Sequence, residues 1–136
     1  KYSRNVLASG KEIVRTTPKF ERARLLGDTI FVSGTAAIKG ENSELSDDAR
    51  IQSEEAIDVV EHLVEPSNIS HECTDFRFDL IRVYVRRPQD MDVVKDVFTS
   101  HFRDIPIHFL TADICRPELL LELEGVGHVV SVREGR

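Results

Sequence analysis

GDTIFVSGTAAIKG, residues 27–40, is the stretch on which the reading of this chain turns. A polar turn at Gly27 and Asp28 leads into the β-rich run Thr29 to Ser33. Gly34 interrupts that run, the small residues Thr35, Ala36 and Ala37 follow, and Gly40 closes the segment. Strands normally carry bulk on both faces. Loss of bulk just after Val32 signals that another backbone or a ligand comes close there.

The segments around it can be read in order. Upstream, Glu12 to Thr17 and Arg22 to Leu26 read as strands separated by a turn at Pro18, with Thr29 to Ile38 as the third strand. Residues 40–45 are a polar loop. Ser46 to Asp48 has the character of a helix start, with acids near the positive end of the helix dipole. Ser53, Ala56, Ile57, Val60, Leu63 and Val64 recur at helical spacing, so residues 48–64 are expected to form an amphipathic helix ended by Pro66. Residues 67–76 are polar and read as irregular.

From Phe78 to Arg86 the pattern alternates: Ile81, Val83 and Val85 share one face, and Leu80, Arg82, Tyr84 and Arg86 the other. Pro88 suits the first turn of a second helix, whose apolar stripe is Met91, Val94, Val97, Phe98 and Phe102. Pro106 marks its exit. Ile107 to Ile114 and Leu119 to Val132 are the last two strands, the latter with a break expected at Gly125 and Gly127. The fold class is therefore α+β, a mixed sheet with two helices packed on one face. The other face carries apolar Leu80 and Tyr84 among polar residues, and such an open face predicts oligomerisation.

At 136 residues, 40% hydrophobic and 31% charged, the chain is expected to be one soluble globular domain over residues 1–136. A net charge of −6 without a Lys/Arg cluster argues against a nucleic-acid partner. The apolar runs are far shorter than a membrane span, and no signal peptide is evident. The chain begins at Lys1 rather than Met, as a processed product or a piece of a longer protein would. Two cysteines, Cys73 and Cys115, fit a reducing, cytoplasmic setting. They lack a zinc or C-x-x-C spacing, and a disulfide between them stays open.

Glu122 and Glu124 lie two apart on the last strand and face the same way, while Leu119, Leu121 and Leu123 point to the helices. The glutamates are either a solvated strand face or a general acid/base whose pKa is raised by partial burial at a subunit interface. Arg82, Tyr84 and Arg86 could bind a carboxylate or form a salt-bridge ladder with glutamates on a neighbouring strand. His62, His71, His101, His108 and His128 show no metal-ligand spacing, so no metal is expected. No P-loop, complete G-x-G-x-x-G or G-x-S-x-G occurs, and no cofactor is expected.

Four motifs in this order, IFVSGTAAI (30–38), QSEEAIDVVEHLV (52–64), LIRVYVRRPQDMDVVKDVFTSHF (80–102) and LLLELEGVGHV (119–129), resemble the RidA/YjgF reactive-intermediate deaminase superfamily. The resemblance runs from about Arg22 to Val130. It implies a chorismate-mutase-like fold and a homotrimer whose sheets face inward like a barrel, with clefts between subunits for a small-molecule metabolite. The family's active-site glutamate matches Glu122, and its small residues after the first glycine match Gly34 and Thr35. Its substrate-binding arginine would follow Pro106, where this chain has Ile107 and His108. His108 cannot make the same two-pronged pair with a carboxylate, and Arg82 or Arg116 is the candidate replacement. Tyr84 completes the expected binding set. SGTAAIKG and ADICRPELLLELEGV (112–126) also resemble the C-terminal domain of chorismatases, which hydrolyse chorismate to a dihydrobenzoate-type product and pyruvate. Three functions follow as expectations: hydrolysis of an enamine, imine or enol ether; a non-catalytic ligand-binding or structural module; and, ranked last on charge, ribonuclease activity.

Overall fold

The alternation between Phe78 and Arg86 becomes the core of a 13-residue strand. In the computed structural model, which describes residues 2–6, 12–16, 22–38, 46–69 and 73–131, it lies within β5 (Cys73–Val85). The other strands are β1 (Tyr2–Val6), β2 (Glu12–Thr16), β3 (Ala23–Leu26), β4 (Thr29–Thr35), β6 (Ile107–Thr111) and β7 (Leu121–Ser131). The helices are α1 (Ala49–Leu63), the single turn α2 (Pro66–Ile69) and α3 (Met91–His101), the last entered through a 3-10 turn at Pro88–Asp90. The polar loop expected at residues 40–45 and the turn at Pro18 lie outside the described residues.

Strands β3 to β7 form a mixed sheet in the order β3-β4-β7-β5-β6. Pairing is antiparallel except between β5 and β6, which α3 connects as a parallel crossover. β1 and β2 pair separately as an antiparallel ribbon. The β3–β4 hairpin turns on Gly27, whose φ of 63° is the left-handed value that a two-residue turn with glycine first requires.

Asp48 caps α1: its carboxylate accepts from the backbone N–H of Arg50 at 2.8 Å and of Ile51 at 3.3 Å, worth about 1 kcal/mol. The buried stripe of α1, including Ala56, Ile57 and Val60, faces the sheet, and Val94, Val97 and Phe98 of α3 do the same. Opposite them stand Ile81, Val83, Val85, Leu121 and Leu123, each at 0–1% exposure. Each contributes about 1.5–3 kcal/mol of apolar burial.

Ser53 and Gln52 are buried polar residues of this layer, and Gln52 is fully bonded. Its amide donates to the carbonyls of Ser46 (2.8 Å) and Glu118 (2.9 Å), and its oxygen accepts from Leu120 N–H (2.9 Å). It ties the start of α1 to the start of β7.

Several sequence expectations are corrected. A third, short helix, α2, lies in the stretch read as irregular, because Pro66 starts a new turn instead of only ending α1. β5 begins at Cys73, earlier than expected. β7 runs unbroken through Gly125 and Gly127. Those glycines leave room on the helix face for aromatic rings: a Cβ on Gly125 would meet Phe78 at 2.8 Å, and one on Gly127 would meet Phe76 at 2.5 Å. Leu119 does not join the helix-side core. It packs in a second cluster with Ala36 and Ile114, against which Ile38 and Tyr84 rest. Cys115 is an exposed free thiol.

Candidate active site

The face of the sheet opposite the helices is organised by register into rows. β3 Arg24 pairs with β4 Phe31, Phe31 with β7 Val126, and Val126 with β5 Leu80, giving a largely apolar row. The next row holds Glu124, Arg82 and His108 on β7, β5 and β6; beyond it come Glu122, Tyr84 and Leu110. Val32 still pairs with Gly125 and Thr35 with Leu123, so β4 fits Ser33 and Gly34 opposite the single residue Glu124. This bulge re-aims β4 beside the glutamates.

The bulge explains Gly34. A Cβ built there would lie 1.7 Å from Glu122 Oε1 and 2.7 Å from its Cδ. The close approach that the sequence signals is made by a carboxyl group of the same chain. Glycine is required because the Glu122 side chain lies across the bare backbone.

No described residue donates a hydrogen bond to Glu122. Loss of hydration, first, and the neighbouring Glu124 charge, second, raise its carboxyl above the ordinary value. Glu124 differs: its Oε1 accepts from Tyr84 Oη at 2.6 Å and from Arg82 Nη1 at 3.2 Å. The bond to Glu124, first, and burial, second, push the Tyr84 phenol above its usual value. Two carboxyl groups on one strand thus differ in environment, one underprovided with donors and one held by two. That is the arrangement that separates an acid from a fixed charge.

The other expected site residues fall as follows. Thr35 is 1% exposed, and its hydroxyl donates to the Ser33 carbonyl at 3.0 Å, so its side chain belongs to the core and not to a ligand surface. His108 is exposed on β6 in register with Arg82. Arg116 lies between β6 and β7, and no described hydrogen bond links its guanidinium to Glu122. Arg86 does not serve the open face as expected. Its guanidinium donates to the carbonyls of Leu119 (2.8 Å) and Ile114 (2.7 Å) and to Asp113 (3.0 Å), so it clamps the 112–120 loop. The sequence misses this wall of the site, because the partners are backbone carbonyls that any loop residue offers.

On the Glu124 side of the pair lies a groove of about 500 Å³ lined by Phe31, Leu80, Val126, Arg24, Arg82 and Glu124, with Glu122 outside its lining, a size suited to a small ligand. A groove of about 400 Å³ runs between α1 and α3 on the opposite layer. There charged groups pair with each other, Arg50 with Asp96 at 2.9 Å and His101 with Glu61. Among the described residues no group of three or more His, Cys, Asp or Glu side chains could hold a metal ion, and no helix is long and apolar enough to cross a membrane.

Comparison with known proteins agrees with this architecture. A 3-hydroxybenzoate synthase of Streptomyces hygroscopicus is 34% identical over 125 residues, covering 80% of this chain and 36% of that protein. A chorismatase crystal structure superposes with a TM-score of 0.67 at 31% identity, covering 77% of this chain and 35% of that one. The Escherichia coli YjgF gene product superposes with a TM-score of 0.67 at 16% identity over 83% of this chain and 90% of its own, a likeness of fold. The chain spans about a third of the length of the curated relatives it matches. No family model matches it. The chain has the RidA/YjgF fold, and its sequence is similar to that of chorismatases.

Proposed function

We propose that this domain hydrolyses a small carboxylate-bearing enol ether of the chorismate type, with Glu122 as the proton donor. The observation that carries the reading is the Glu122 carboxyl seated over Gly34, raised by burial and with no hydrogen-bond donor among the described residues. A carboxyl whose protonated form is favoured by loss of hydration is the kind of group that can deliver a proton to an electron-rich carbon. Glu122 transfers its proton to the terminal carbon of the enol ether, the ether oxygen supplies electrons to the resulting cation, and water adds to the cationic carbon. The hemiketal then collapses to pyruvate and the freed alcohol, and the proton released by water restores Glu122.

The groove formed by Phe31, Leu80 and Val126 offers the ring of such a substrate an apolar surface, with Arg82 at its edge for a carboxylate. Phe31 at 51%, Leu26 at 66% and Leu110 at 43% exposure support assembly through this face, with a homotrimer closing the cleft. Gly34, Tyr84, His108 and Arg116 complete the proposed binding set, with Thr35 contributing backbone alone. One observation favours a second reading, a ligand-binding module without catalysis. The position after Pro106 has no arginine, and Arg82 and Arg86 are both engaged within the chain.

Chorismate is the probe that separates the two. Catalysis predicts pyruvate release that falls at least about 10²-fold in Glu122→Gln, with retained binding seen as a rise in melting temperature. Binding without pyruvate release supports the module; neither binding nor release overturns both.

A further inference from the structure

Tyr84 stands opposite Glu122 in the β5–β7 register, yet its hydroxyl reaches diagonally to Glu124 at 2.6 Å. Arg82, opposite Glu124, donates to the same oxygen at 3.2 Å. Diagonal neighbours on a sheet face are within reach of long side chains, so the phenol could serve either carboxyl and serves the second. A donor on Glu122 would favour its ionised form.

We propose that Glu124 is a positioning residue: by holding the Tyr84 hydroxyl and the Arg82 guanidinium on its own carboxylate, it keeps both donors away from Glu122. The inference rests on Glu122 as the proton donor. It also stands on the surroundings of that group. From β4, Ser33, Gly34 and Thr35 bring no titratable side chain. From β5 come Tyr84 and Arg82, and from β7 itself Glu124. His108 lies on the far side of β5, in register with Arg82. The 112–120 loop carries Asp113, bonded to Arg86, together with Cys115, Arg116 and Glu118. No described hydrogen bond joins any of these to Glu122.

The test is carbon NMR titration of the Glu122 carboxyl in protein labelled at glutamate side chains, assigned by Glu122→Gln. In Glu124→Gln the fixed charge goes but an acceptor for Tyr84 remains, so the Glu122 midpoint falls. In Glu124→Ala the phenol loses its acceptor and turns to Glu122, so the midpoint falls further. Adding Tyr84→Phe to Glu124→Ala brings it back toward the Glu124→Gln position. Arg82→Gln exposes the Glu124 charge and raises the midpoint. Equal midpoints in Glu124→Gln and Glu124→Ala, or no reversal by Tyr84→Phe, overturn the proposal. If Glu124→Ala loses its native amide spectrum, Glu124→Ser, also too short to hold the phenol, takes its place in the same comparison, and the same two outcomes overturn the proposal. The titration needs no substrate, so its failure is distinct from that of the reaction, which Glu122→Gln turnover reports.

Discussion

Replacing Gly34 by alanine puts one methyl group where the Glu122 carboxyl lies. The added Cβ would be 1.7 Å from Oε1, 2.7 Å from Cδ and 3.3 Å from Cγ. Ordinary contact needs about 3.5 Å, so the carboxyl must retreat by roughly 1.5–2 Å. It is the far end of a flexible side chain, and β4 need not move with it. Alanine in a strand gains roughly 0.5–1 kcal/mol over glycine, against an overpacking cost of about 1–3 kcal/mol. The net loss of stability is then at most about 2.5 kcal/mol, and the protein stays folded. Function should suffer far more, because a misplacement of about 1 Å at a reacting group costs on the order of 10²-fold. Urea denaturation measures the first quantity and pyruvate release from chorismate the second. A folded Gly34→Ala protein with displaced Glu122 and undiminished turnover would refute the role assigned to that seat.

Gly127→Ala provides the contrast: its Cβ would lie 2.3 Å from the Arg77 carbonyl, which is backbone and cannot rotate away. A loss of about 2–3 kcal/mol is expected in thermal unfolding. Gln52→Ala strands the N–H of Leu120 and the carbonyls of Ser46 and Glu118; urea unfolding should show a loss of about 2–4 kcal/mol. The raised Glu122 carboxyl gives a pH signature with a defined sign. Its contribution to stability is complete below the unfolded glutamate value and is lost as pH rises through the folded one. Glu122→Gln should therefore match wild type in acid and gain on it in melting temperature as pH rises toward neutrality.

The parts of this fold that the sequence displays are those whose partners are interchangeable apolar surface. Ile81, Val83 and Val85 alternate against Leu80, Arg82 and Tyr84, and any helix packed on the first set fixes the face of the second. The Glu122–Glu124 pair and the glycine at position 34 are visible for the same reason, as departures from expected bulk. What approaches Gly34 was not legible, since the contact is set by how β4 bulges against β7. Arg86 looked like an open-face arginine because strand alternation carries it there by count. Its guanidinium instead satisfies carbonyls of the 112–120 loop, a partnership that leaves no pattern in side-chain types. Gln52 is not legible as a tie, because a polar residue in an apolar stripe gains its meaning only when its three partners come together from distant segments.

The most direct test compares wild type with Glu122→Gln for pyruvate release from chorismate near neutral pH, with binding of the ligand checked in both. The proton-donor assignment predicts release by wild type and a loss of at least about 10²-fold in the variant, with binding retained. Equal rates in the two proteins, or bound chorismate that yields no pyruvate in either, would contradict it.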